Sequence, residues 1–259
     1  MTVIRPRMDL KEIYSSLDPA LREIRVLRLL PGSWEEPIDC QLQVVSLNDQ
    51  PEYETLSYAW GKTGVFKTVQ LHGTPFSVTA NLWCALRRLR RRQHERVIWT
   101  DGTCINQEDL EEKSQQVALM GEIYSRASHG FIWLGDSISK EESVHEPSPG
   151  AVEDGKDIKW ISENIGQIFE QPNLPATHEN EALRAFGILF LLSVDEHWTA
   201  KPVFATCNEG RYHVAERYAG PWQATLKLLR LSWWTRIWVV QELVLAKNAT
   251  LVVGSTSVP

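Results

Sequence analysis

The last third of the chain carries one carboxylate in an apolar setting. In the run Ser232-Trp-Trp-Thr-Arg-Ile-Trp-Val-Val-Gln-Glu-Leu-Val-Leu-Ala246, Glu242 is surrounded by Val240, Leu243 and Val244. A charge placed there must reach water, a partner or a pocket, because an unpaired buried carboxylate is costly. It reads either as half of a structural ion pair or as the acid of a site. Asp101 invites the same two readings. It is either a turn residue or a carboxylate offered to a substrate hydroxyl or to an arginine behind the site. Asn106 and Gln107 follow in the same polar loop and supply amide donors and acceptors, unless they serve only the entry to the next helix. Cys104 lies between Asp101 and Asn106. A thiol nucleophile needs a base, usually His, and none is near in sequence, so a buried structural cysteine is the simpler reading. The sequence has no P-loop, G-x-G-x-x-G or G-x-S-x-G motif. Its four cysteines and seven histidines show no metal spacing, so no metal is assigned.

These residues need elements to position them. Val97–Thr100 and Gly130–Leu134 are short apolar runs that read as buried strands. Between them Val117, Met120, Ile123, Tyr124 and Ala127 recur at helical spacing. Asp109 caps this helix, and Glu112 completes a capping-box pattern. Strand, helix, strand is a βαβ unit with parallel strands. The loop Asp101–Gln107 then sits at a strand's carboxyl end, where open α/β sheets bind ligands. Upstream, Ile24–Leu30 and Cys40–Leu47 read as a hairpin and Leu56–Trp60 as a strand ended by Gly61. Val65–Leu71 and Phe76–Val78 form a hairpin around His72-Gly73. Leu82, Ala85, Leu86 and Leu89 mark a helix capped by Thr79 or Asn81. Its end is basic (Arg87, Arg88, Arg90, Arg91, Arg92, then Arg96), which reads as a solvated face or as an anion or partner site.

Downstream, Ile158, Ile161, Ile165 and Phe169 suggest one helix and Ala182–Leu192 a buried one. Residues 198–220 look like loop. Pro221 opens a helix carrying Trp222, Leu226 and Leu229. In the final helical pattern Trp233, Ile237, Val240 and Val244 share a stripe expected to pack on the sheet, with Trp238 one turn from Glu242. Thr250–Val253 is a last strand.

Hydrophobic residues at 43% and charged residues at 23% describe a globular chain, and the net charge of −6 argues against nucleic acid as a partner. Residues 137–217 hold fourteen Asp/Glu against seven Lys/Arg, which marks a solvated acidic insertion. The organisation expected is a loose arm over residues 1–20 and one domain over 21–259, interrupted at 137–217. With no signal peptide and no apolar run of membrane-spanning length, a reducing, cytoplasmic location without a membrane span is expected.

Taken together, YETLSYAWG (Tyr53–Gly61), NLWCALRRLR (Asn81–Arg90), the block Val97–Gly135 with its D-x-x-C-I-N-Q, and WWTRIWVVQELVLAKNATLVVG (Trp233–Gly254) resemble the fungal heterokaryon incompatibility (HET) domain. The resemblance implies an effector of programmed cell death in non-self recognition. A remoter resemblance is to TIR domains, which implies a flavodoxin-like α/β fold with a mostly parallel sheet, an N-terminal β addition and a helical acidic insertion. Trp238-Val-Val-Gln-Glu242-Leu is similar to the W-x-x-x-E-L block of TIR domains that cleave NAD, whose Glu is catalytic. The resemblance thus implies Glu242 as catalytic carboxylate. Ser57, Tyr58, Trp60 and Gly61 are implied at the end of the first parallel strand, Asp101, Cys104, Asn106 and Gln107 on the rim, and Trp238 beside Glu242. NAD is implied as substrate, with no further cofactor. Breaking the nicotinamide–ribose bond develops positive charge on the sugar, which a carboxylate stabilises. The rival reading is a non-catalytic module that acts by self-association, with exposed Trp and the arginine run at a homo-oligomer interface.

Overall fold

The computed structural model describes residues 13–61, 64–138, 163–164, 168–169, 178–193, 197, 201–207 and 211–258. Most of the expected arm, most of the acidic insertion and all but the end of the helix expected over Ile158–Phe169 lie outside these residues. The described chain forms an α/β structure built on a nine-stranded mixed sheet: β1 (Glu23–Leu29), β2 (Asp39–Ser46), β3 (Glu54–Tyr58), β4 (Phe66–Leu71), β5 (Thr74–Thr79), β6 (Arg96–Trp99), β7 (His129–Gly135), β10 (Ala249–Val253) and β11 (Thr256–Val258). The spatial order is β11-β10-β7-β3-β6-β1-β2-β4-β5. At its centre β6, β3, β7 and β10 are mutually parallel. Antiparallel strands extend both sides: β1 pairs with β6 and carries the N-terminal hairpin, and β11 folds back on β10. The β4–β5 turn has positive φ at both His72 and Gly73, the geometry that matches strand twist in a two-residue hairpin. Strand β11 was not legible beforehand, because Gly254 reads as a breaker; at φ +56 it instead turns the chain into a hairpin.

Helix α1 (Ala80–Leu89) is capped by Thr79, whose Oγ1 accepts from the Leu82 amide at 3.3 Å. That leaves Asn81 to join two strands. It donates to the Ala59 carbonyl at 2.6 Å and accepts from the Trp133 indole at 2.8 Å. Helix α2 (Leu110–Arg126) lies on the other side of the sheet, where Tyr124 meets Trp99 edge-on at 5.6 Å. Helices therefore cover both faces, which is why β7 reads as an uninterrupted apolar run. Its Phe131 and Trp133 enter one core cluster and its Ile132 and Leu134 another.

Two expectations for this half are corrected. Asp109 caps α2 as expected, accepting from the amides of Glu111 and Glu112 at 3.0 Å, but Glu112 does not close a capping box. Its carboxylate turns to the buried Arg25 at 2.6 and 2.9 Å and to the Asn106 amide at 2.7 Å. A buried guanidinium outcompetes the Asp109 amide, which the Asn106 carbonyl already serves at 3.2 Å. Nor is the arginine run wholly a solvated face: Arg91 and Arg92 are exposed, but Arg88, Arg90 and Arg96 are buried. Arg88 pairs with Asp136, Arg96 with Glu54, and Arg90 donates to the carbonyls of Ser33, Glu36 and Pro37.

Downstream, α3 (His178–Ser193) packs on α4 (Ala219–Leu229), with Ala182, Ala185, Phe186, Ala224 and Leu228 in one core. The stretch read as loop holds a small hairpin, β8 (Phe204–Thr206) with β9 (Tyr212–Val214), too short to show a periodicity. The pattern from Ser232 to Ala246 is not one helix. A 3-10 turn over Ser232–Thr235 ends at Arg236, which is extended (ψ 140), and α5 covers only Val239–Val244. The apolar stripe consequently splits. Trp233 is buried, while Ile237, Val240 and Val244 are 84%, 65% and 70% exposed. The residue that α5 turns inward is Glu242.

Candidate active site

Ser57 is the penultimate residue of β3, in register with Ile132 of β7. Beyond these two strands the connections leave to opposite faces of the sheet, so their carboxyl ends form the crevice where open α/β sheets take ligands. The break at Arg236 lets α5 fold over this point. Glu242, 2% exposed, accepts from Ser57 Oγ through Oε2 at 2.5 Å. Arg236 grips the same carboxylate bidentately, Nη1 to Oε2 and Nη2 to Oε1, each at 3.0 Å. The Trp233 indole donates to Ser57 Oγ at 2.6 Å, which orients the hydroxyl toward Glu242. Ser57 thus accepts from Trp233, and from Arg236 Nη1 at 3.4 Å, and donates to Glu242, so its proton position is fixed by its neighbours.

Asp101 opens a single helical turn, Asp101–Cys104, at the end of β6. Its Oδ2 accepts from the Trp60 indole at 2.9 Å. Burial pushes the Asp101 carboxyl above the ordinary range, against the opposing pull of the Trp60 bond and the Arg236 charge. Burial likewise raises Glu242, Arg236 and Ser57 oppose it, and the Asp101 charge adds to it. The two carboxylates therefore lie within each other's field and within that of Arg236, which is bonded to Glu242 alone of the two. They sit on the same side of the molecule.

The other anticipated residues divide. Trp60 is exposed on the rim, and Gly61 takes φ +84 where the strand turns out, a conformation that suits glycine. Tyr58 points to the opposite face from Ser57 and is buried, its phenol held protonated by desolvation. It packs so closely on Gly102 that a Cβ there would stand 2.3 Å from its hydroxyl. Cys104 is fully buried, its thiol pushed up to about 12 by burial. The amides in the loop serve the loop: Gln107 donates to the Asp101 carbonyl at 2.8 Å, and Asn106 Oδ1 accepts from the Glu108 amide at 3.2 Å. Trp238 stands at the exposed start of α5, and its carbonyl accepts the Glu242 amide at 3.1 Å. Arg236 and Trp233 complete the cluster and were not singled out for it. In one continuous helix residues 236 and 242 would face apart, so only the chain break could reveal the pair. Among the described residues no group of three His, Cys, Asp or Glu side chains could hold a metal ion.

The sequence profile of the family described as "Heterokaryon incompatibility protein (HET)" matches residues 53–242, from the start of β3 through Glu242. The chain belongs to the heterokaryon incompatibility family. Every residue of the cluster just described falls inside the HET match. Among characterised proteins, "Heterokaryon incompatibility protein 6, OR allele" of Neurospora crassa is 26% identical to this HET chain over 261 residues, covering 92% of it and 34% of the relative. The chain thus spans about a third of the length of that relative. No solved structure matches it. Among the described residues no helix is long and apolar enough to cross a membrane.

Proposed function

We propose that this HET domain is a cell-death effector of fungal incompatibility that hydrolyses NAD at the N-glycosidic bond, with Glu242 as the catalytic carboxylate. The observation that carries the reading is the placement of Glu242: the one acid of α5 is buried against β3 at the carboxyl end of the parallel strands, in the field of Asp101. The parallel strands, numbered in chain order, lie 2-1-3-4, the order of a flavodoxin-like sheet, which supports the likeness to TIR domains. In the reaction the bond between the ribose carbon and the nicotinamide nitrogen breaks, and its electron pair leaves with nicotinamide. Water adds to the carbon and gives up a proton. Glu242, ionised, stabilises the positive charge that the sugar develops. Asp101 faces the ribose hydroxyls, and the exposed Trp60 ring offers a flat surface to the base.

A specific observation favours the second reading, a module that acts by assembly. Val240 and Val244 on the outside of α5, with Ile237 just before it, are exposed apolar residues, a surface suited to a second copy of the domain. Expression in a yeast host separates the two. The enzymatic reading expects growth arrest together with a collapse of cellular NAD, both abolished by Glu242→Gln. Arrest with NAD unchanged, sensitive to Ile237→Asp and indifferent to Glu242→Gln, would establish the assembly reading instead.

A further inference from the structure

Arg236, only partly buried, can be compared with two buried arginines, Arg25 and Arg90, by what they hold. Arg25 donates to the carbonyls of Ser15 and Cys104 as well as to Glu112, and lies over the Tyr14 ring. Arg90 donates to three carbonyls of one loop. Both are braces, tying backbone to backbone. Arg236 is bonded to no carbonyl; its partners are the side chains of Glu242 and Ser57. It is also the solvent-facing member of its pair, with 18% of its side chain exposed against 1% for Glu242. Its bonds occupy both oxygens of the carboxylate, and Ser57 takes a second position on Oε2. A sugar hydroxyl would find Glu242 nearly saturated.

We infer that Arg236 is the anion receptor of the site: it pairs with Glu242 here and exchanges that carboxylate for a phosphate of an incoming nucleotide, which frees Glu242 for the sugar. A phosphate presents the same two-oxygen edge to a guanidinium that a carboxylate does. Arg236 keeps an anionic partner throughout, because the ligand's phosphate takes the place of the carboxylate, and the freed Glu242 faces the nicotinamide ribose, whose positive charge takes the place of the guanidinium. The inference rests on the reading of Glu242 as the carboxylate that serves the ribose.

Calorimetric binding of carba-NAD, whose carbocyclic sugar cannot be cleaved, and of the phosphate-free carba-nicotinamide riboside tests it on the full chain. The wild type should bind carba-NAD at least about tenfold more tightly than the nucleoside. Inorganic pyrophosphate should compete with carba-NAD. Glu242→Gln should bind carba-NAD more tightly than the wild type, since Arg236 no longer has a carboxylate to leave. The doubly neutral Arg236→Gln/Glu242→Gln chain, which leaves no charge buried without a partner, should lose both the preference and the competition. An unchanged preference in the double variant, or no carba-NAD binding by the wild type, overturns the inference and leaves Arg236 a structural brace. Arg236-dependent binding of carba-NAD with no nicotinamide released from NAD would uphold this inference while removing the glycohydrolase reading. Nicotinamide release with an unaltered preference would do the reverse.

Discussion

Asp101 and Glu242 both titrate above the ordinary carboxylate range because both are desolvated. A carboxyl whose folded value is raised binds its proton more tightly in the native chain than in the unfolded one. Its contribution to stability is complete below the unfolded value, about 4, and is lost as pH rises through the raised folded value. The melting temperature of the wild type should therefore fall across that interval more steeply than that of Glu242→Gln or Asp101→Asn; parallel curves would refute the assignment of buried carboxylates. Cys104 supplies an independent check. Its thiol, buried and pushed up to about 12, should resist alkylation in the native protein and react only on unfolding. Sequence made Glu242 conspicuous, because an acid among valines needs an explanation. It could not show what answers that acid, since Arg236 and Ser57 reach it only through a chain break and a long-range contact.

At the scale of elements, α5 is the informative case. Six residues are too few to hold a helix by propensity, and its contacts with β7 and α2 are what place it. Tertiary contacts therefore chose which face turns inward, and they chose the face with the carboxylate. Substitution of Val240 by Ser should change stability by no more than about 0.5 kcal/mol, as for an exposed site; a loss of 2 kcal/mol or more, roughly what a buried valine would give, would mean that the stripe is covered. Elements governed by local chemistry were readable in advance: the strands of the βαβ unit, the His72-Gly73 hairpin, and the Thr79 and Asp109 caps. Asp109→Ala should cost about 1 kcal/mol of unfolding free energy, the loss of a cap that serves two amides. The basic run at the end of α1 misled for the opposite reason: its partners, Asp136, Glu54 and the carbonyls after Ser33, come from distant parts of the chain.

On the scale of the whole molecule, four parallel strands give the site its floor, and the antiparallel additions enlarge the sheet away from it. The Arg25–Glu112 pair joins β1 to α2 and so ties the N-terminal hairpin to the unit that carries Asp101. Glu112→Gln should destabilise the chain by roughly 3 kcal/mol, since it leaves Arg25 buried and without its counter-charge; chemical denaturation reads this directly. The α/β class and the HET membership were legible from the order of blocks, whereas the second core around Trp233 was not, because its pieces come from segments with weak periodicity. The decisive measurement is nicotinamide release from NAD by purified wild type and Glu242→Gln at one high protein concentration, with matching near-UV dichroism showing that both are folded. With Glu242 as the catalytic carboxylate, the wild type should release nicotinamide steadily and the variant at a rate at least about 100-fold lower. Equal rates, or no release by either, would contradict that role.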